Sequence, residues 1–309
     1  MEKLLLVSEA VVPVFAAILL GAFARRKHLM NPEEIRGLQQ FVVKFALPCV
    51  LFQSCFTADF GAEAITSMVL VLPLTLSGAI FAFRLRKRRF PFHNLPMLFA
   101  AQETGMLGIS LFVALFGAGQ AYRMGVMDVA QGFVAIPVIA ILSSDTGSSP
   151  TISQTVKKVF QSPLLLMGIL GLTLNLTGAS DALNAAGIGT IILKTAAFLA
   201  QPVSAVILFT VGYNFSLERQ GMRFVTRICA LHCAIMVVYF AIMQGMLSLL
   251  PSVDPLTRWA VALYCSLPPS FLSSGLGRSR EDAAVASGVC SISTLITLAL
   301  FCVIAAMAV

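Results

Sequence analysis

Long apolar stretches alternate with short charged connections along the whole chain, and this alternation limits the folds that it can adopt. A helix of about 20 apolar residues crosses the roughly 30 Å hydrocarbon core of a bilayer. Ten such segments, numbered one to ten in chain order, cover residues 9–23, 38–56, 65–83, 95–116, 125–142, 163–176, 191–215, 227–250, 259–276 and 283–309. The pattern predicts an all-α membrane protein with ten transmembrane helices.

The basic residues fall on alternate connections between these segments. Sixteen of the 21 lysines and arginines lie in the odd-numbered connections or, as Arg227, directly at the edge of one; they include residues 25–27 in the first and the basic run 84–89 in the third. Because Lys and Arg accumulate on the cytoplasmic side of a membrane, the odd connections are predicted inside and both chain ends outside. We therefore expect a multi-pass protein of the bacterial inner (plasma) membrane, N-out and C-out.

The composition supports membrane residence and argues against other classes. With 58% hydrophobic residues, 11% charged residues and a mean hydropathy of +0.90, the chain lacks the polar surface that a soluble globule needs. The net charge of +7 is distributed loop by loop as the insertion rule requires, so no nucleic-acid partner is predicted. Glu2 precedes the first segment and the basic run follows it, which is the reverse of a secretory signal, so this segment is predicted to be retained.

The sequence has no motif of an enzyme or a cofactor site. It lacks a glycine-rich phosphate loop, HExxH and GxSxG, so neither catalysis nor a cofactor is predicted. The seven cysteines lie in apolar segments, where they are predicted to pack as small hydrophobes. Cys229, His232 and Cys233 stand at helical spacing and could in principle hold a metal. A packed helix with a polar side chain is the favoured interpretation, and no metal site is predicted.

The two halves of the chain are predicted to insert in opposite directions. Residues 1–146 contain five segments that start from outside, so the five segments of residues 147–309 start from inside. Residues 143–162 between them are rich in Ser, Thr and Gly and are predicted to be a cytoplasmic linker. Such inverted repeats bind substrate near the membrane midplane, where corresponding helices of the two halves are interrupted.

Segments four and nine, the fourth members of each half, both contain helix-disrupting sequences. Segment four has the polar run 102–105 at its centre and Gly108 one turn later, and segment nine has Pro268 and Pro269 followed by Ser270 and Ser273. Two consecutive prolines remove two amide donors, so this backbone is expected to line protein or water rather than lipid. The alternative is a proline kink in a packed helix.

Glu103 is the most central acid in any of the segments. It lies about eight residues into segment four, which is a depth of about 12 Å at roughly 1.5 Å per residue. An ionisable group at that depth is costly and is a functional candidate by default. We predict that Glu103 binds and releases a proton during transport; the alternatives are permanent pairing with Lys44 or a water-filled vestibule. Other interior polar groups, Gln131 and Tyr264 among them, could bind solute or bridge helices.

The sequence resembles the auxin efflux carrier family, whose bacterial members belong with bile-acid and sodium symporters in a larger superfamily. The resemblance runs along the whole chain, through Pro13, Gly21, Asn31 and Pro48 in the first two segments and through the later stretches 162–178, 201–212 and 279–301. It implies two inverted five-helix repeats in which broken helices four and nine cross in the membrane centre. It also implies a secondary carrier of small organic anions, such as dicarboxylates or, in plants, auxin.

Two departures from the family pattern bear on function. The family commonly shows NxGxxGxP in segment four, where this chain has Glu103, Gly105, Gly108 and Ser110. An anionic substrate therefore requires Glu103 to be protonated or directed away. The bile-acid branch has an acidic sodium ligand in segment nine that residues 267–274, LPPSFLSS, lack, so sodium coupling is not expected.

These observations predict a secondary transporter, a symporter that moves a small organic solute, a carboxylate, by alternating access with proton coupling through Glu103. Half-helix N-termini beginning near Leu107 and Ser270 would present partial positive charge to the solute. The predicted substrate-binding residues are Gln102, Glu103, Thr104, Gly105, Gly108, Ser110, Gln131, Tyr264, Pro268, Pro269, Ser270 and Ser273.

Two other interpretations are kept. One is a carrier of a cationic or zwitterionic solute with Glu103 as its counter-ion. The other is a non-transporting membrane receptor with a carrier fold. The expected partners are a small-molecule substrate and membrane lipid, and a homodimer is left open.

Overall fold

The computed structural model describes residues 2–58, 61–144, 162–215 and 222–308. The described chain is all-helical, 84% helix without a strand, which confirms the all-α part of the predicted fold class. The predicted repeat boundary at residues 146 and 147, and residues 145–161 of the predicted linker, lie outside the described residues.

Seven helices of the described chain are long and apolar enough to cross a membrane. They are Val7–Arg26, Pro32–Thr57, Ala62–Arg88, Ala118–Ser143, Ile188–Asn214, Met222–Leu247 and Arg280–Ala308. They correspond to predicted segments one, two, three, five, seven, eight and ten. The chain is thus a multi-pass integral membrane protein, although length and hydropathy alone account for fewer than ten crossings.

The three remaining segments are bent or interrupted. Segment six is a pair of helices, Pro163–Leu176 and Ala179–Ala185, that meet at an angle of 79°. Gly178 forms the corner with φ of 72°, a left-handed conformation that glycine adopts without a steric penalty. Segment four comprises Met97–Ala100, the π-helical turn Thr104–Gly108 and the α-helix Ile109–Phe116. Segment nine comprises Pro255–Ser266 and Leu272–Gly275.

Segments two and seven are also irregular at their prolines. Segment two runs from Pro32–Phe41 through a π-helical turn, Val42–Ala46, into Leu47–Thr57, where Pro48 lies in the first turn. Segment seven runs from Ile188–Ala200 to Val203–Asn214, with Pro202 in the break. Because proline lacks an amide hydrogen, it disrupts the hydrogen-bond ladder of a helix.

The helices form two packing groups. In one group, segment one packs on segment seven and segment two packs on segment six. In the other, segment three packs on segments five and eight, and segments eight, nine and ten pack on one another. Glycines allow the closest approaches in the first group: a Cβ on Gly212 would collide with the carbonyl of Ile18, and one on Gly171 with the carbonyl of Phe52. Small residues permit such close contact between membrane helices.

The connection before segment four is fastened to the start of segment ten. The amide of His93 donates to Asp282 Oδ1 at 3.1 Å, and Asn94 Nδ2 donates to the carbonyls of Asp282 and Ser273 at 2.9 and 3.0 Å. These bonds tie the entrance of segment four to the two segments that face it. They therefore help to fix the position of its interrupted centre.

Candidate functional site

The interruptions of segments four and nine lie side by side and pair through their backbones. Gln102 and Pro269 form an antiparallel bridge. The amide of Glu103 donates to the carbonyl of Pro268 at 2.9 Å, and the amide of Ser270 donates to the carbonyl of Ala101 at 3.0 Å. The backbone groups that the broken helices leave without helical partners thus satisfy one another.

The helical halves that follow the breaks begin at different residues from those predicted. In segment four the helix resumes as a π-helical turn at Thr104, three residues before the predicted start near Leu107, so that prediction was wrong. In segment nine the second half is Leu272–Gly275, with Phe271 as its N-cap, and it begins two residues after the predicted Ser270. Pairing of Ser270 with segment four keeps its backbone outside the helix.

Glu103 lies at the start of the second half of segment nine. Its side chain is only 6% exposed, and its Oε2 accepts a hydrogen bond from the amide of Phe271 at 2.7 Å. The hydroxyl of Ser270 also hydrogen-bonds to this carboxyl. Glu103 therefore occupies the helix N-terminus that the sequence analysis assigned to the solute, and its described hydrogen bonds go to segment nine rather than to Lys44.

Gln131 of segment five holds the unwound centre of segment four. Its Oε1 accepts from the amide of Gln102 at 2.8 Å, and its Nε2 donates to the carbonyl of Gln102 at 2.9 Å and to Thr104 Oγ1 at 3.1 Å. The hydroxyl of Tyr264 donates to Gln131 Oε1 at 3.2 Å. Thr104, Gln131 and Tyr264 are thus placed in one buried network that supports the crossing.

Asp128 is a cavity-lining acid that the sequence analysis did not select. It lies one helical turn before Gln131, whose Nε2 donates to Asp128 Oδ1 at 2.9 Å. The amide of Gly105 also hydrogen-bonds to Asp128, and a Cβ at Gly105 would lie 3.1 Å from Asp128 Oδ2. Asp128 therefore accepts a backbone hydrogen bond from the second half of segment four, much as Glu103 accepts one at the start of the second half of segment nine. The sequence feature that could have identified Asp128 is its position three residues before Gln131, which puts both side chains on the same helical face.

The side chain of Gln102 points to segment eight. Its Oε1 lies 3.0 Å from His232 Nε2, and the His232 ring packs against Phe99 at 5.7 Å between centroids. Gln102 Nε2 is buried without a hydrogen-bond partner in the described chain. Cys229 points instead to the carbonyl of Val289, at 3.6 Å. No group of three or more potential metal ligands of the His, Cys, Asp and Glu types occurs among the described residues.

A cavity of about 850 Å³ adjoins the crossing. Of the predicted substrate-binding residues, those that line it are Gln102, Glu103, Gly105, Gln131 and Ser270. The remaining seven lie behind its wall: Thr104, Gly108, Ser110, Tyr264, Pro268, Pro269 and Ser273. Ser110 is fully buried and its hydroxyl has no partner within the described ranges. Towards its mouth the cavity is lined by Arg36 and Gln39, and by Asn214 and Phe215 at the end of segment seven.

An ion pair connects the start of segment five to the loop before segment nine. Arg123, at the start of segment five, contacts Asp254 before segment nine and Gln120 in the preceding loop. Its Nε donates to Thr257 Oγ1 at 3.2 Å, and its guanidinium lies over the ring of Tyr122 at 4.6 Å. The Arg123 side chain is 7% exposed and that of Asp254 is 34% exposed. The pair joins the two halves of the chain.

Comparisons with known proteins relate this chain to membrane transporters. Residues 6–152 match a family described as membrane transport protein, the auxin efflux carrier family. The resemblance to that family is confirmed. The chain is also similar to a protein of Methanothermobacter thermautotrophicus described as an uncharacterized transporter, with 24% identity over 300 residues that cover 94% of this chain and 95% of the relative. Both comparisons support membrane transport as the function.

Proposed function

We propose that this protein is a secondary transporter that moves a small organic solute by alternating access around the crossing of segments four and nine. The observation that supports it is the buried carboxyl of Glu103, which lines a cavity of about 850 Å³. This carboxyl belongs to segment four and accepts a hydrogen bond from the backbone of segment nine, so it joins the two interrupted helices. Broken helices that meet beside a cavity are the usual substrate sites of transporters.

The proposal includes two inverted repeats, residues 1–146 and 147–309. In such a repeat, segments one and two correspond to segments six and seven. The packing of segment one on segment seven should then have a counterpart in the packing of segment six on segment two, and both packings are present. Exchanging three with eight and five with ten relates two further packings in the same way. This correspondence supports the repeat, and the crossing of four and nine would lie on its axis.

The charge distribution supports an inward-facing state. The mouth of the cavity lies near the ends of segments two and seven that the basic residues assign to the cytoplasm. Arg123 and Asp254 belong to connections assigned to the outside, where they close the crossing. We propose that separating this pair, while the cytoplasmic mouth closes, gives the outward-facing state.

The position of Glu103 gives a reason for coupling solute movement to a proton. An ionised Glu103 is stabilised by the hydrogen bonds that it accepts from the amide of Phe271 and the hydroxyl of Ser270. A solute carboxylate at the same place would repel it, so protonation of Glu103 would allow the anion to bind. On this scheme one proton travels with the solute, which makes the protein a proton–anion symporter.

The test starts with thermal shifts of the purified protein against small carboxylates at two pH values, because a ligand that binds the folded state stabilises it. A stabilising carboxylate is then used for flux in proteoliposomes with an internal pH dye. Glu103→Gln is expected to abolish pH-dependent, proton-coupled uptake and to preserve folding. Glu281→Gln, an exposed acid away from the cavity, is the matched control. Unchanged coupling in Glu103→Gln would remove Glu103 from the mechanism.

A second candidate, transport of a cationic or zwitterionic solute, is favoured by Asp128. Two carboxyl groups beside one cavity would attract an amine when both are ionised. Competition between carboxylates and amines distinguishes the candidates, because only the amine carrier should lose solute affinity on Glu103→Gln. Flux through the protein alone in proteoliposomes would exclude the third interpretation, a non-transporting receptor.

A further inference from the structure

The cavity contains basic as well as acidic side chains. Among the described residues that line it, the charged ones are Arg36, Lys44, Glu103 and Asp128. Both acids accept hydrogen bonds within the protein, from Phe271 and Gln131 respectively. Neither base forms an ion pair with any residue that the structure describes. Of the charged groups that line the cavity, the two bases are therefore the ones left available to a solute.

Lys44 lies further along segment two than Arg36, and both side chains are exposed. Both belong to segment two, whose helix begins at Pro32 with Asn31 as its N-cap. Arg36, Gln40 and Lys44 follow one another at four-residue spacing, which places them on one helical face, and all three line the cavity. Lys44 stands eight residues beyond Arg36, about 12 Å along the helix at roughly 1.5 Å per residue.

The local helix geometry turns Lys44 towards the cavity. The π-helical turn Val42–Ala46 interrupts the α-helix at this residue. Val42 and Ala46 are fully buried in the protein core, whereas Lys44 between them lies on the open side. Single π-helical turns often occur at functional sites, because the extra residue changes the direction of side chains. A lysine within an apolar segment is costly unless it faces a polar space.

We infer that Lys44 binds the carboxylate of the transported solute and makes the cavity selective for it, with Arg36 keeping the entrance positive. This inference rests on the proposed transport function. Recognition by Lys44 provides the charge that Glu103 and Asp128 do not, and it explains how an anion enters a cavity with two acids at its base. A solute that also carried an amine could place it near those acids.

A lysine in a membrane helix can also serve only to anchor the helix, by extending its ammonium to the polar interface. The experiment separates these roles through the charge of the ligand. Lys44→Gln removes the charge, Lys44→Arg keeps it, and Lys194→Gln is the matched control. Lys194 is exposed, also lies within an apolar helix, and does not line the cavity.

The probes are lactate and succinate, with lactamide and succinamide as uncharged analogues, titrated against purified protein at a mildly acidic pH at which lactate and succinate are still ionised. Wild type and Lys44→Arg are expected to prefer the carboxylates, and Lys44→Gln to bind them at least about tenfold more weakly. Lys194→Gln should match wild type, and affinity for the amides should be the same in all four proteins. A purely structural role would lower affinity for carboxylates and amides alike.

Unchanged carboxylate affinity in Lys44→Gln, an equal loss for the amides, or absence of carboxylate binding by wild type would each overturn the inference. The transport proposal is tested separately by solute flux and by Glu103→Gln. A carrier with flux, proton coupling and no dependence on Lys44 would leave that proposal standing.

Discussion

The side-chain amide of Gln131 and the peptide backbone of Gln102 form a closed pair of hydrogen bonds, 2.8 and 2.9 Å long. An extended backbone normally pairs its amide and carbonyl with a neighbouring strand. Here the side-chain amide of Gln131 takes the place of that strand. Because there is no water in a lipid environment to satisfy an unwound backbone, this replacement stabilises the interruption. The arrangement connects an amide side chain in segment five to the position of Glu103.

We predict that Gln131→Leu destabilises the protein and disturbs the crossing. The leucine fills a similar volume but leaves the amide of Gln102 without a partner and its carbonyl with the amide of Thr104 alone. An unpaired buried amide costs about 1–3 kcal/mol. Thermal unfolding in detergent measures the loss, and Gln201→Leu is the control because Gln201 is exposed. Equal stability of the two variants would show that the Gln131 pair contributes little.

The positions of the breaks could be predicted from the sequence because their causes are local. Pro268 and Pro269 lack amide hydrogens, and the polar run 102–105 cannot be placed in lipid without partners. The predicted segments lie at the same places as the helices of the structure. The break in segment four nevertheless ends earlier than predicted, because the helix resumes at Thr104, directly after Glu103, whose amide pairs with Pro268.

Residues that depend on tertiary contacts could not be assigned in this way. Asp128 lies near the start of its apolar segment, where an acid usually faces the membrane interface. Only the packing of segment five on segment four brings it to Gly105. Ser110 stands where the family motif has proline, and the helix turns its hydroxyl into the protein, away from the cavity. The number of membrane crossings cannot be counted from long helices alone, since interrupted segments do not form long helices.

Asp128→Asn provides a test of how the two acids divide their roles. If Glu103 alone carries the coupled proton, the variant should keep pH-dependent uptake, with a change in solute affinity of up to about tenfold from the altered charge of the cavity. The asparagine carbonyl can still accept from Gln131 and Gly105, so the fold should be retained. Initial uptake rates across a pH series in proteoliposomes check this. Loss of coupling comparable to that in Glu103→Gln would mean that both acids bind the proton.

The packing of segment one on segment seven should be sensitive to a single methyl group. A Cβ at Gly212 meets the backbone of Ile18, which cannot rotate away as a side chain can. Gly212→Ala is therefore expected to lower stability by about 1–3 kcal/mol through overpacking. Gly245→Ala is the control, because no atom lies within 4 Å of the corresponding Cβ. Thermal unfolding of both variants measures the difference, and a neutral Gly212→Ala would argue against tight packing of these two segments.

The ion pair of Arg123 and Asp254 is expected to control access from the predicted outside. Asp254→Asn leaves Arg123 with a weakened partner, and since Asp254 is 34% exposed, the loss should lie between those of exposed and buried pairs, about 1–2 kcal/mol. That loss shifts the population towards the outward-open state by roughly tenfold. In proteoliposomes that hold the protein in one orientation, the apparent affinity for solute added at the outer face should rise accordingly.

Arg258→Gln is the control, since Arg258 lies on the same side and bonds to Gln244 and Ser248. The exchanged pair Arg123→Asp with Asp254→Arg should restore wild-type affinity if the charge pair itself closes this face, and an outer-face affinity that stays constant in Asp254→Asn would contradict the gate.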